Sequence, residues 1–245
     1  MIFAAGLGTR LRPLTNDRPK ALVEIAGRTL LEHTIRKLKQ AGANCIVVNV
    51  HHFADMIISF LNAHDNFGID IRVSDERGLL LDTGGGIKHA LPLFDKQEPI
   101  LIHNVDIVST IDLGHLYQRH LQHSQLAPHS SSRPLGATLA INDRTTSRYL
   151  LFDQSSELCG WTNVKTGEVK GKMGEKHAFA GIHVIDPQLF PLFNKREEEV
   201  FSIIPFYLDV CNDMALCAEN VSDAGWVDCG KPETLEIAAR LLFNQ

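Results

Sequence analysis

The chain has no Cys-x-x-Cys pair, no internal repeat, no low-complexity tract and no excess of basic charge. Each absence removes a class of protein. Its five cysteines, Cys45, Cys159, Cys211, Cys217 and Cys229, are scattered and odd in number. That argues against a disulfide framework and against a zinc knuckle. No signal peptide is seen, nor an apolar run of about 18 residues, so neither secretion nor a membrane partner is expected and the cytosol is the default location. A formal net charge of −5 disfavours a general nucleic-acid surface, so any basic cluster is a local feature suited to a compact anion.

What is present is a chain of 245 residues, 44% hydrophobic and 22% charged, enough for one sizeable core. A single domain is expected. Its most distinctive stretch follows the short apolar lead Met1-Ile2-Phe3: Ala4-Ala5-Gly6-Leu7-Gly8-Thr9-Arg10-Leu11-Arg12-Pro13-Leu14-Thr15, running on to Pro19-Lys20. The sequence leaves open whether residues precede Met1. Gly6 and Gly8 permit a turn with positive φ whose amides approach a phosphate, and Arg10, Arg12 and Lys20 add fixed positive charge. A dinucleotide fold would want a third glycine where Leu11 stands, and Pro13 argues against an immediate helix. A P-loop would need Gly-Lys-Ser/Thr, which is missing. Arg12 stays open between a phosphate contact and a solvated surface.

The run Gly6-x-Gly8-Thr9-Arg10-Leu11-x-Pro13-Leu14-Thr15-x-x-x-Pro19-Lys20 resembles the signature of the sugar-1-phosphate nucleotidylyltransferases. The resemblance implies transfer of a nucleotidyl group from a nucleoside triphosphate to a sugar 1-phosphate, giving a nucleotide sugar and pyrophosphate. It also implies an α/β fold: a single-domain, doubly wound, mostly parallel sheet, Rossmann-like, without the C-terminal β-helix of many relatives.

The pattern along the chain agrees with that fold. Thr29-Leu30-Leu31-Glu32 is a capping box, and Leu30, Leu31, Thr34, Ile35 and Leu38 keep helical spacing until Gly42. Residues 45–50 form an apolar run expected of a buried parallel strand. Then come a helix near 54–61, a strand near 69–73, a helix near 85–93, a strand at 100–103 and a helix near 113–122. This is the βαβ rhythm of a doubly wound sheet, which binds ligands at the carboxyl ends of its strands. Residues 123–134, rich in Ser, His and Pro, are expected to be a mobile surface loop. Strands are expected at 136–141, 149–152 and 178–185, with a loop over 165–176. An apolar helix over 201–210 should be interrupted by Pro205, followed by a strand at 226–228 and a closing helix at 232–243. Residues 1–112 are expected to form the nucleotide-binding half and 113–245 the half that binds the sugar phosphate.

Nucleotidyl transfer brings an attacking phosphate oxygen to a phosphorus already crowded with negative charge, so cations and a metal must do most of the work. Mg2+ suits carboxylate and phosphate oxygens. Asp106, just after the 100–103 strand, is the first expected ligand. Asp228 is the second, because Trp226-Val227-Asp228-Cys229-Gly230 resembles the late metal-binding motif. Relatives usually carry Gly or Ser before the first aspartate, where this chain has Val105. By resemblance Arg10 holds the departing pyrophosphate and Lys20 bridges the α-phosphate and the sugar phosphate. The expected catalytic set is therefore Arg10, Lys20 and Asp106.

The expected nucleotide-binding residues are Ala4, Ala5, Gly6, Gly8, Thr9 and Arg10 together with Asp82, Thr83, Gly84 and Gly85. The block Leu81-Asp82-Thr83-Gly84-Gly85-Gly86-Ile87 resembles the base-binding loop of the family, its glycines letting backbone lie against a base. This variant looks most like the N-acetylmuramate 1-phosphate uridylyltransferase branch, with mannose- and heptose-1-phosphate guanylyltransferases close. Phe179-Ala180-Gly181-Ile182 resembles the sugar-contacting strand, so Gly181, Gly160 and Lys20 are expected on the sugar phosphate. His51 and His52 could line the same pocket, whereas His115, His120 and His123 are not spaced as metal ligands. The donor is thus UTP or GTP, the enzyme a monomer or small homo-oligomer. The reading from a different class is a regulatory protein that binds a nucleotide sugar without turning it over; it should lack a charge from the catalytic set.

Overall fold

The computed structural model describes residues 1–130 and 133–243. The chain opens with β1 (Ile2–Phe3), a small hairpin of β2 (Glu24–Ile25) and β3 (Arg28–Thr29), then α1 (Leu30–Gln40), β4 (Cys45–Val50), α2 (Ala54–Ala63), β5 (Asp70–Asp75), α3 (Asp82–Ala90) and β6 (Ile100–Asn104). It continues with β7 (Ile107–Ser109), α4 (Leu113–Ser130), β8 (Leu135–Asn142), β9 (Arg148–Phe152), β10 (Leu158–Asn163), β11 (Glu168–Gly171) and β12 (Glu175–Ile185). The last elements are α5 (Phe190–Lys195), α6 (Ile203–Val210), β13 (Ala215–Asn220), β14 (Trp226–Asp228) and α7 (Pro232–Phe243).

Strands β6, β1, β4 and β5 lie side by side and parallel, forming one side of a ten-stranded sheet with β5 at its edge. The expected α/β fold holds, with the parallel strands grouped around β1. Long β12 then runs antiparallel to β6 and serves as the hinge of the sheet: residues 175–177 pair with β9, and its later residues pair with β8. Strands β9, β10 and β11 extend the far edge antiparallel, while β13 adds parallel to β8.

The sheet is covered on both faces, as period-two alternation requires. Ile46, Val48 and Val50 of β4 pack with Leu31, Ile35 and Leu38 of α1 and Ile57 and Leu61 of α2. Val47 points the other way, into a cluster with Ile87 of α3, Phe193 of α5 and Phe206 and Tyr207 of α6. Helix α1 begins where the sequence indicates, since the Thr29 hydroxyl accepts from the Glu32 amide at 3.1 Å. Among the described residues, no helix is long and apolar enough to cross a membrane.

Three local expectations are corrected. The segment 123–134 is not a loop through its length: α4 continues to Ser130, and residues 131–132 lie outside the described residues. The helix is held along a polar seam that composition does not reveal, with buried His120 Nδ1 3.0 Å from the Thr138 hydroxyl and the Ser124 hydroxyl donating to Asp186 at 3.2 Å. The expected loop over 165–176 contains β11 and the start of β12, because β10 pairs with β11 from Gly160 to Asn163. Pro205 does not interrupt a helix; α6 starts at Ile203, so the proline falls in the first turn, where no intrahelical amide bond is lost.

Candidate active site

The carboxyl ends of β1, β4, β5 and β6 meet at one edge, and the loops that leave them enclose a cavity of about 620 Å³. Residues 3–10, Lys20, Asn49, Glu76, Asp82, Thr83, Asn104, Val105, Asp106 and Gly230 line it. A larger hollow of about 960 Å³ lies on the other side of β7, but the glycine-rich loop does not reach it.

The glycine-rich loop is shaped by its own contacts. Gly8 has φ 64°, and a Cβ there would stand 3.1 Å from both the Lys20 and Thr15 side chains, so the position needs glycine on two counts. The Thr15 hydroxyl donates to the Gly8 carbonyl at 2.8 Å and closes the loop. Ala4 and Ala5 line the cavity as well. Their amides donate to the Asn49 side-chain oxygen, at 2.7 and 3.3 Å, and are already engaged. The amides of Gly6, Leu7, Gly8 and Thr9 donate to no protein acceptor among the described residues, which leaves them free to hold an anion.

Behind this loop is a relay that the sequence did not disclose. Asn49 Nδ2 donates to Glu76 Oε1 at 2.8 Å, and Glu76 Oε2 accepts from the Leu81 amide at 3.3 Å. The buried Glu76 carboxyl is pushed above its ordinary pKa, chiefly by desolvation, while its bonds from Asn49 and Leu81 pull it back down. This relay fixes the amide of Asn49 and ties the 4–12 loop to the 81–86 segment. His51 belongs to the same shell, its Nδ1 2.7 Å from the Glu76 carbonyl; neither His51 nor His52 lines the cavity.

Lys20, on a short helical turn at 20–22, forms an ion pair with Asp106 across the cavity. Asp106 lies just past β6, and its carbonyl accepts from the Cys229 amide at 2.7 Å. That bond, with the antiparallel pairing of β7 and β14 that sets Asp228 opposite Ile107, brings the two aspartates to one end of a ribbon. A Cβ on Gly230 would stand 2.6 Å from Arg10 Nη2 and 2.7 Å from Asp228 Oδ1, so the guanidinium and the second carboxylate both abut that glycine. Asp228 Oδ1 is buried without a hydrogen-bond donor. An orphaned carboxylate oxygen of this kind fits a hard cation, with Asp106 as the second oxygen source and phosphate or water completing the set.

The three glycines of the 81–87 block have a packing reason for being glycine. All lie inside α3 and are buried. A Cβ on Gly84 would stand 2.4 Å from the Phe201 ring, and one on Gly85 2.1 Å from the Glu199 carbonyl oxygen. The Gly84 and Gly85 amides both donate to the Phe201 carbonyl, at 2.8 and 3.1 Å. Asp82 and Thr83 line the cavity, whereas Gly84 and Gly85 do not. Gly181, with φ 75°, faces Asn104, where a Cβ would stand 2.8 Å from Nδ2, and Asn104 lines the cavity. Gly160 sits instead in β10 against the backbone of Lys170 and Lys172.

The family model described as Nucleotidyl transferase matches residues 1–133. Over 250 residues the chain is 34% identical to an N-acetylmuramate alpha-1-phosphate uridylyltransferase of Caulobacter vibrioides, covering 98% of this chain and 96% of that protein. It is 24% identical to the mannose-1-phosphate guanylyltransferase catalytic subunit beta of Dictyostelium discoideum, over 100% of this chain and 64% of that longer protein. The solved structure of HddC from Yersinia pseudotuberculosis complexed with GMP-PN superposes with a TM-score of 0.73 at 22% identity, covering 98% of this chain and 97% of that one. A UDP-glucose pyrophosphorylase complexed with UDP-glucose gives 0.73 at 14% identity, covering 99% and 97%. At such identities the structural likenesses speak for the fold alone.

Proposed function

The chain belongs to the nucleotidyl transferase family and is a sugar-1-phosphate nucleotidylyltransferase; on that premise we propose that its donor is UTP and its acceptor N-acetylmuramate 1-phosphate or a closely similar amino sugar phosphate. The observation that carries the reading is the convergence of Arg10, Lys20 and Asp106 on the cavity lined by the glycine-rich loop. The near full-length similarity to the Caulobacter uridylyltransferase supports the choice of base and sugar.

In this reading the free amides of Gly6 to Thr9 cradle the β- and γ-phosphates. The Arg10 guanidinium presents a fork of donors to the departing pyrophosphate. Lys20 leaves Asp106 for the α-phosphate, and its flexible ammonium follows the charge as the sugar phosphate oxygen attacks in line. Asp106 and Asp228 would hold Mg2+, which when bound supplies charge neutralisation and alignment of the phosphate oxygens. Asp82 and Thr83, which line the same cavity, would face the base. No covalent enzyme intermediate is required.

Pyrophosphate release tests the proposal. With Mg2+, UTP and N-acetylmuramate 1-phosphate it should be rapid, and a chelator should abolish it reversibly. Release with GTP and mannose or heptose 1-phosphate alone would replace both substrates. No release with any pair would leave a protein that only binds nucleotide sugars.

A further inference from the structure

Arg144 lies in the turn between β8 and β9 and is half-buried. Its guanidinium carbon stands 4.4 Å over the Trp226 ring, and Nη2 donates to the Phe179 carbonyl at 2.8 Å. Nε is buried with no partner, and Nη1 donates to no protein acceptor among the described residues. Arg144 makes no ion pair there either. Desolvation lowers its pKa, with Asp228 the leading charge that pulls it back up. A cation fixed by stacking, partly stripped of water and left without a carboxylate is costly unless an anion completes it.

Its position says where that anion would sit. Side chains alternate along a strand, so Trp226 and Asp228 of β14 point to the same face. Trp226 is itself locked, Nε1 donating to the Ala180 carbonyl at 2.9 Å. At the Gly230 end of this row Arg10 abuts the backbone; at the Trp226 end stands Arg144. Two guanidiniums thus flank Asp228. Arg10 belongs to the glycine-rich loop that lines the cavity, whereas Arg144 is tied to Phe179 at the start of the Phe179–Gly181 segment and is not among the residues that line that cavity.

We propose that Arg144 selects the acceptor: its guanidinium binds a carboxylate carried on the sugar itself, such as the lactyl ether carboxylate of an N-acetylmuramate, and not the 1-phosphate common to all acceptors. The inference rests on the reading of the site as a sugar-1-phosphate nucleotidylyltransferase. A planar fork held by stacking is matched to a carboxylate in shape and charge. A neutral hydroxyl in the same place would leave the cation uncompensated, so the residue discriminates as well as binds.

The test compares two matched pairs of acceptors with saturating UTP and Mg2+: N-acetylmuramate against N-acetylglucosamine 1-phosphate, and glucuronate against glucose 1-phosphate. The unmodified enzyme should prefer the acidic member of at least one pair. In Arg144→Gln, KM for that acidic acceptor should rise roughly 10- to 100-fold, while KM for its neutral partner changes by less than about threefold. Arg144→Lys, which keeps the charge and much of the packing, should fall between the two and serves if the glutamine variant does not fold. Equal rises in KM for both members would assign Arg144 to the phosphate and overturn the proposal. A loss in kcat alone would make it a support for Asp228, and a preference of the unmodified enzyme for both neutral members would also refute it. Turnover of no sugar phosphate by the unmodified enzyme would sink the functional reading beneath it, and the proposal with that reading.

Discussion

Replacing Gly85 by alanine separates two reasons for the glycine run in α3. If the residue is glycine so that a base can approach, the methyl group should harm nucleotide binding and leave the fold alone. The geometry points to packing: the new Cβ would stand 2.1 Å from the Glu199 carbonyl oxygen, about 1 Å inside an ordinary contact. Helix and segment must part, which strains the bonds from the Gly84 and Gly85 amides to the Phe201 carbonyl. Overpacking of this kind costs about 1–3 kcal/mol, and a weakened buried hydrogen bond adds about 1 kcal/mol. Alanine in a helix returns about 1 kcal/mol. The net is a loss of about 2 kcal/mol, or roughly 4–8 °C in Tm for a chain of this size. Differential scanning calorimetry of Gly85→Ala without ligand reads it directly. An unchanged Tm combined with a large rise in the KM for UTP would refute the packing account.

Other consequences follow from the same contacts. Lys20→Ala and Asp106→Ala should each lower kcat by roughly 10²-fold or more with an unchanged fold, as read by steady-state rates and circular dichroism; near-normal turnover in either removes that residue from the proposed catalytic set. Asn49→Ala strips the Ala4 and Ala5 amides of their acceptor and leaves Glu76 without its donor. It should raise the KM for the triphosphate about tenfold or more, through one or two lost bonds of about 1 kcal/mol each; an unchanged KM would show that the relay does not position the loop. Stability should also fall in mild acid. Burial pulls His103 down to about 4 and His183 to about 3 from the ordinary 6.5, so the unfolded chain binds more protons as pH drops below about 6.5. Each histidine should remove about 2 kcal/mol by pH 5. Urea denaturation at pH 7.5 and pH 5 measures it, and equal midpoints would contradict the burial of these rings as neutral groups.

The parallel side of the sheet was legible because its inner strands, β4 above all, are buried on both faces and read as apolar runs separated by helical spacing. Residues 45–50 and the capped helix after Thr29 are examples. The outer half was not. Strand β11 is exposed at all its residues and is held by pairing with β10 alone, so no apolar pattern marks it. The end of α4 carried the composition of a loop, and His120 and Ser124, which anchor it, find partners on β8 and just past β12 that lie far away in sequence.

The site divides in the same way. The glycine-rich loop, Lys20 and Asp106 announced themselves through chemistry and position at strand ends. Asn49 left one signal, a polar residue inside the apolar run of β4, and Glu76 another, a carboxylate directly after β5. Their meaning depends on bonds between neighbouring strands. Arg144 left no signal, since only folding brings the β8–β9 turn over Trp226. The glycines of α3 were visible, yet the partner that requires them, residues 199–201, is more than a hundred positions away.

The most direct test of the functional reading is a competition assay. The purified chain is incubated with Mg2+, equal UTP, GTP, CTP, dTTP and ATP, and a mixture of N-acetylmuramate, N-acetylglucosamine, glucose, mannose and heptose 1-phosphates, and the nucleotide sugars formed are identified by mass. The account predicts that the uridine diphosphate sugar of N-acetylmuramate, or of a close amino sugar, forms fastest. A guanosine diphosphate sugar as the main product, or no nucleotide sugar at all, would contradict it.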